Sequence, residues 1–228
     1  PIVAGGPFPQ VFPKKTMESD FIDISCIGDG AEPSVLIADH YNNKGELQDI
    51  PNICFKENDS LIIKHRTHRD TLNNENFIRY DNFFNIKDYS ERFNCYLTRD
   101  YDSSINQAVP ILTGLGCSYK CSFCENALLG HKHFSMSADH IVDQIVYYKE
   151  NHDVDTFAFF DEDFFYDKNR LFRLIELMEN LPFRIKWGTQ SRCNYFRESY
   201  INSDVISKLE NIGLARVCIG VESGSPRM

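Results

Sequence analysis

"VPILTGLGCSYKCSFCENALLG", residues 109–130, runs from a short apolar stretch into a loop that carries Cys117, Cys121 and Cys124. The apolar stretch 109–116 reads as a strand. Beyond the loop the pattern becomes regular. "SADHIVDQIVYYKENH" (137–152) predicts a helix with Ser137 at its N-cap and Ile141, Ile145 and Tyr148 on one face. "DTFAFFD" (155–161) predicts a strand, "DKNRLFRLIELMENL" (167–181) a helix and "FRIKWGTQ" (183–190) a strand. "NSDVISKLENIG" (202–213) predicts a helix closing on Gly213 in the left-handed region, and "ARVCIGVES" (215–223) a fourth strand. Strict β/α alternation argues for parallel strands joined by right-handed crossovers. Four strands and three helices do not close a barrel, so the expected fold class is α/β with a partial (β/α) barrel over residues 109–228.

Working outward, residues 1–40 also read as α/β. Ile2-Val3-Ala4 closes a short strand, Gly5-Gly6 turns, and "FIDISCIGDGA" (21–31) is a strand ending in a Gly-rich turn. "EPSVLIADHYNN" (32–43) is a helix with Pro33 in its first turn. Residues 41–108 lack a regular period. They read as a linker with a hairpin, Asn52–Phe55 and Leu61–Lys64 flanking the "KENDS" turn. The chain starts "PIVAGG" without a Met and stops just after its last strand, so it is expected to be an internal fragment of a longer protein.

The 228 residues are 42% hydrophobic and 25% charged, which suits a globular chain. No apolar run approaches the roughly 20 residues that span a bilayer, and no signal peptide is read. The net charge is −9, with no Lys/Arg cluster to track a phosphate backbone, so neither nucleic acid nor membrane is an expected partner. The eight cysteines are not spaced as a disulfide framework. They read as reduced thiols of a cytoplasmic protein, with Cys26, Cys54, Cys95, Cys193 and Cys218 isolated and structural.

Cys117, Cys121 and Cys124 lie just beyond the C-terminal end of the first barrel strand, the face where β/α barrels place reactive groups. A C-x3-C-x2-C loop can offer three thiolates to three corners of a [4Fe–4S] cluster and leave the fourth iron open. The competing reading is a Cys3His zinc site, because His131 and His133 follow closely.

C-x3-C-x2-C with an aromatic, Phe123, before the last cysteine resembles the radical S-adenosylmethionine (SAM) superfamily. The resemblance implies that the open iron chelates SAM and that one electron cleaves it to a 5′-deoxyadenosyl radical. It also implies SAM contacts at the later strand ends. "FFDEDFFYDKNRL" is similar to the F-x-D-D-x-F-x-x-D run of the cobalamin-associated branch, giving at least one of Asp161, Glu162 and Asp163 the SAM amino group. "IKWGTQSRCNYF" places Arg192 toward the SAM carboxylate or ribose. "VCIGVESGSPRM" resembles that branch's G-I-E-S-G-S, with Gly220 allowing close approach and Glu222 and Ser223 reaching the ribose.

Residues 1–40 resemble the C-terminal part of the Rossmann-like cobalamin-binding domain that precedes the barrel in the same branch. Gly5-Gly6-Pro7 keeps its turn, although Phe8 stands where that module has His. Its G-E-G-E appears as Gly28-Asp29-Gly30-Ala31. The resemblance implies cobalamin contacts at Gly5, Gly6, Pro7, Gly28, Asp29 and Gly30, in the crevice at the strand ends. The implied function is radical SAM methyl transfer with a [4Fe–4S] cluster, SAM and cobalamin. The substrate would be a small molecule or peptide, and the electron donor a flavodoxin or ferredoxin type. The alternatives are a cobalamin-free radical SAM isomerase, cyclase or oxidase, and a non-enzymatic zinc-binding module.

Overall fold

A computed structural model of the chain describes residues 1–58, 60–64, 78–89, 108–126 and 133–225. Cys95, His131 and the linker stretches 65–77 and 90–107 lie outside the described residues. The chain divides into two compact units, residues 1–71 with 118–131 and residues 72–117 with 132–228.

In the first unit, β1 (Val3–Ala4) pairs in parallel with β2 (Ile24–Cys26). Between them stand two single-turn helices, α1 (Pro7–Val11) and α2 (Pro13–Thr16), which the sequence reading did not separate from the loop. Each opens on a proline, whose fixed φ suits the first helical position and whose missing N–H is not needed there. α3 (Ala31–Tyr41) follows the Gly-rich turn. The hairpin expected inside the linker forms as β3 (Ile53–Glu57) and β4 (Ser60–Ile63). It is part of the sheet: β3 runs antiparallel to β2, giving the order β1-β2-β3-β4. Alternation along β2 and β3 supplies both faces of this sheet. Ile24, Ile53 and Phe55 pack with Ile37 of α3 and with Ile50, while Cys54 packs with Met17 and Ile27.

In the second unit, β5 (Ala108–Ile111), β8 (Thr156–Phe159), β9 (Lys186–Arg192) and β10 (Leu214–Gly220) form one parallel sheet in the order β10-β9-β8-β5. The crossovers are α4 (Ala138–His152), α5 (Lys168–Glu179) and α6 (Ser203–Asn211). Ser137, Asp167 and Asn202 each accept from the backbone N–H three residues on, at 3.0–3.2 Å, so all three helices start on a side-chain cap. The expected partial β/α barrel order is therefore present. The first expected strand, 109–116, divides: β5 ends at Ile111, and Gly114–Leu115 forms β6 of a separate two-residue antiparallel ladder with β7 (Phe134–Ser135).

Residues 78–89 are tied to α4. Tyr148 donates its hydroxyl to the Ile78 carbonyl at 2.6 Å and accepts from the Tyr80 amide at 3.1 Å. Asp81 accepts from Tyr147 at 2.7 Å and pairs with Arg79 at 3.0 Å, while the Arg79 guanidinium lies 4.1 Å from the Tyr147 ring centroid. The Arg79 hydrogen bond holds the Asp81 carboxyl well below its ordinary value, and burial pushes the Tyr148 hydroxyl up to about 12.

Two predictions follow from these contacts. Asp81 is depressed in the folded state, so its contribution is complete above the ordinary Asp value near pH 4 and falls away as pH drops toward its folded value. Tyr148 is raised, so its contribution is complete below about pH 10 and lost as pH rises toward 12. Near-ultraviolet circular dichroism from the packed tyrosines should hold constant from about pH 5 to 9 and decline on both sides. A signal that changes between pH 5 and 8 would contradict this. Separately, Gly213 has φ +93°, and a Cβ there would collide with the Ile185 carbonyl oxygen. Gly45 has φ +88° with open space around it. Gly213→Ala should cost about 2–5 kcal/mol in urea unfolding, Gly45→Ala only about 1–2 kcal/mol.

Candidate active site

Because β5, β8, β9 and β10 are parallel, the residues after each strand emerge at one edge of the sheet. Thr113–Cys117 follow β5, Asp161–Asp163 follow β8, Arg192 ends β9, and Gly220 ends β10 ahead of Glu222 and Ser223.

The three acidic residues after β8 occupy three different environments. Asp161 is 1% exposed and accepts from the Thr113 amide at 2.7 Å, the Thr113 hydroxyl at 2.5 Å and the Gly114 amide at 2.9 Å. Arg170, also buried, approaches it at 3.4 Å. Burial pushes the Asp161 carboxyl up from its ordinary value, and Arg170 and the Thr113–Gly114 donors pull against that. Glu162 is exposed. Asp163 is 0% exposed; its Oδ2 accepts from the Tyr195 hydroxyl at 2.9 Å and from the Cys117 thiol at 3.6 Å. Its Oδ1 is buried with no hydrogen-bond partner among the described residues. Burial pushes the Asp163 carboxyl up, against the lowering effects of Tyr195 and Cys117.

Around this carboxylate, His133 lies with its ring 4.5 Å from that of Tyr166, and its buried Nε2 has no hydrogen-bond partner among the described residues. Burial lowers the His133 value. Arg192 is half-buried and donates from Nε to Asn194 at 3.3 Å. Its charge also favours the ionised form of Asp163. A Cβ on Gly220 would run into the Glu222 carboxylate, the far end of an exposed side chain that can swing away. Glu222 is exposed with φ 60°, and Ser223 is half-buried.

The cysteine loop starts from β6. Cys117, Cys121 and Cys124 are half-buried and in no disulfide, and the Cys124 amide donates to the Cys121 carbonyl at 3.0 Å. Phe123 between them is 67% exposed. Among the described residues, no three His, Cys, Asp or Glu side chains are gathered closely enough to hold a metal ion. The structure thus joins Cys117 to Asp163 and Tyr195, and places Arg192 on the same sheet edge.

In the first unit, the glycines read as cobalamin contacts cluster at the C-terminal ends of β1 and β2. A Cβ on Gly5 or Gly30 would rest on Cys26, at 3.8 and 3.5 Å. A Cβ on Gly28 would stand 2.9 Å from the Asn52 side chain, which is buried there and reaches the Asp29 carbonyl at 3.4 Å. Gly6 and Pro7 are exposed.

Thr113, Arg170 and Tyr195 were not singled out from sequence. For Arg170 a signal existed: it falls on the apolar stripe of α5 with Leu174 and Met178, four and eight residues on, where a charged residue is buried only with a partner. Among the described residues, no helix is long and apolar enough to cross a membrane.

Comparison with known proteins bears on the fold and the family. The model of the radical SAM superfamily matches residues 111–228. A curated relative, an uncharacterized methyltransferase PH0819 of Pyrococcus horikoshii, is 24% identical over all of this chain, which spans about half (46%) of that protein's length. Among solved structures, the cobalamin-dependent SAM radical enzyme OxsB, with aqua-cobalamin and SAM bound, matches 99% of this chain and 31% of its own, at TM-score 0.67 and 17% identity. The radical SAM methyltransferase TsrM from Kitasatospora setae, with tryptophan substrate and a SAM analogue bound, matches 100% of this chain and 42% of its own, at TM-score 0.66 and 16% identity. A family model covering more than half the chain, including the three-cysteine loop and all four strand ends, establishes that the chain belongs to the radical SAM superfamily.

Proposed function

We propose that the protein carrying this chain is a radical SAM methyltransferase, with a [4Fe–4S] cluster on Cys117, Cys121 and Cys124, SAM beside it, and cobalamin at the strand ends of the first unit. The observation that carries the reading is the arrangement around Asp163. A buried carboxylate oxygen without a partner is costly; Asp163 Oδ1 has none among the described residues, and it stands beside the first cysteine of the loop. An ammonium group is the natural complement to that oxygen, and SAM carries one.

The donor set fits the implied groups. Three unbridged, half-buried thiols within eight residues are soft ligands suited to iron–sulfur ligation. When bound, the cluster and SAM supply reductive one-electron chemistry, and cobalamin supplies methyl transfer. The chain's own residues bind and orient. Asp163, held by the Tyr195 hydroxyl, receives the SAM ammonium; Arg192 faces its carboxylate or ribose; Glu222 and Ser223, brought back by the turn after Gly220, reach the ribose. The electron comes from a flavodoxin- or ferredoxin-type donor, and the substrate is a small molecule or peptide. A relative named as a methyltransferase and two structural neighbours, one a cobalamin-dependent SAM radical enzyme and the other a radical SAM methyltransferase, support the choice of methyl transfer.

One observation favours a cobalamin-free variant of the same chemistry. The Asn52 side chain packs where a Gly28 side chain would be, so packing alone accounts for that glycine. Retention of cobalamin through purification and gel filtration decides between the two.

Two measurements test the core of the proposal. Anaerobically reconstituted protein should contain about four iron and four sulfide per chain, and Cys117→Ala, Cys121→Ala or Cys124→Ala should each abolish it. A stoichiometric zinc without sulfide would establish the zinc reading instead. Asp163→Asn or Arg192→Ala should weaken SAM binding on the order of tenfold to a hundredfold, by calorimetry, with iron content unchanged. Wild-type affinity in both variants would remove these residues from the SAM site.

A further inference from the structure

Asp161 and Arg170 are a buried ion pair, with side chains 1% and 4% exposed, that the proposed chemistry does not use. We propose that they are positioning residues that clamp the two stems of the cysteine loop. This inference rests on reading the three cysteines as cluster ligands.

Every polar group of Thr113 is engaged. Its amide and hydroxyl donate to the two oxygens of Asp161, and its carbonyl accepts from Arg170 Nη1 at 2.9 Å and from the Met136 amide at 2.8 Å. Gly114 adds a second backbone donor to Asp161, and a Cβ at that position would stand 2.9 Å from Asp161 Oδ2. Arg170 completes its own contacts on the Phe164 carbonyl at 2.6 Å, with its guanidinium 4.9 Å from the Phe164 ring centroid. One carboxylate and one guanidinium thus fix the outgoing stem at 113–114 directly and the returning stem at 136 through the Thr113 carbonyl.

The ladder between these stems cannot hold the loop alone. β6 and β7 are two residues each, far short of a self-supporting hairpin. Taking two charges out of water is costly, and as a stability device a pair of packed apolar residues would serve as well. What the pair adds is direction: its donors and acceptors hold residues 113–114, which lead into Cys117, and residue 136 in one geometry. A metal site benefits from such rigid support behind its ligands. It also separates Asp161 from Asp163: the first has both oxygens filled, while the second has one oxygen without a hydrogen-bond partner among the described residues.

The test uses the full-length protein with Asp161→Asn, which leaves Arg170 without its counter-charge, and with Thr113→Val, which removes only a hydroxyl. Hydrogen exchange is followed by mass spectrometry on cluster-free protein, and iron release to a chelator on reconstituted protein. In Asp161→Asn the amides of Thr113, Gly114 and Met136 should exchange on the order of tenfold to a hundredfold faster, with a smaller acceleration in Thr113→Val. Exchange in α4 and α6 should stay at the wild-type rate, and both variants should lose iron to the chelator faster than wild type. If Asp161→Asn unfolds, Thr113→Val alone carries the comparison. Three outcomes would overturn the clamp: unchanged stem exchange in the folded variants, acceleration spread evenly through α4 and α6, or weakened SAM binding with stem exchange intact. Wild-type protein that binds no iron would refute the cluster reading and leave the exchange result to decide the clamp separately.

Discussion

Parallel pairing in register forces alternate residues of neighbouring strands onto a common face, and in the sheet β5–β8–β9–β10 the two faces carry different chemistry. Val109 and Ile111 align with Phe157 and Phe159, and these with Trp187 and Thr189. This face is buried from β5 to β9, with the Phe159 and Trp187 rings 5.0 Å apart and Phe164 5.5 Å from Trp187. On β10, Leu214 and Val217 are half-buried and Ile219 is exposed. The other face aligns Pro110, Ala158, Gly188 and Arg216, then Gln190 with Cys218 and Arg192 with Gly220. It is small and polar. A one-residue slip in any strand would exchange the two sets, so burying the aromatic face fixes which groups reach the strand ends.

That constraint locates the site, and electrostatics refine it. The chain leaves β5 at Ile111 and cannot continue as the same strand, because the Thr113 and Gly114 amides are drawn to Asp161. A strand ladder and a buried carboxylate compete for the same backbone donors, and an ionised acceptor makes the stronger hydrogen bond. The cysteine loop therefore begins from a stem turned out of the main sheet.

Much of this was legible in the sequence. The period of α4, α5 and α6, the cap at Ser137 and the left-handed Gly213 are local features, and each appears in the structure as expected. The caps at Asp167 and Asn202 are equally local and are added by the structure. Strand order followed from alternation. What could not be read was non-local. The break after Ile111 depends on a carboxylate some fifty residues away, with the two sites 48 apart in sequence. The attachment of the hairpin to β2 depends on pairing that neither segment encodes alone. Among Asp161, Glu162 and Asp163, three consecutive acids, sequence gave no basis to tell the clamp from the open acceptor, since strand direction and burial make the difference. The two proline-led turns at Pro7 and Pro13 were missed although their signal was local, because single turns carry no periodicity.

The motif glycines need a similar distinction. A glycine at a strand end is read as room for a ligand to approach the backbone. At Gly114 that room admits the Asp161 carboxylate, at Gly28 the Asn52 side chain, and at Gly220 the Glu222 carboxylate. In each case the space serves a polar side chain of the protein itself. These side chains in turn shape the strand ends: Asp161 holds the cysteine stem, Asn52 braces the turn after β2, and Glu222 lies over the end of β10. A glycine motif of this kind marks a site through the residue it lets in, and the identity of that residue, rather than the glycine, carries the chemical information.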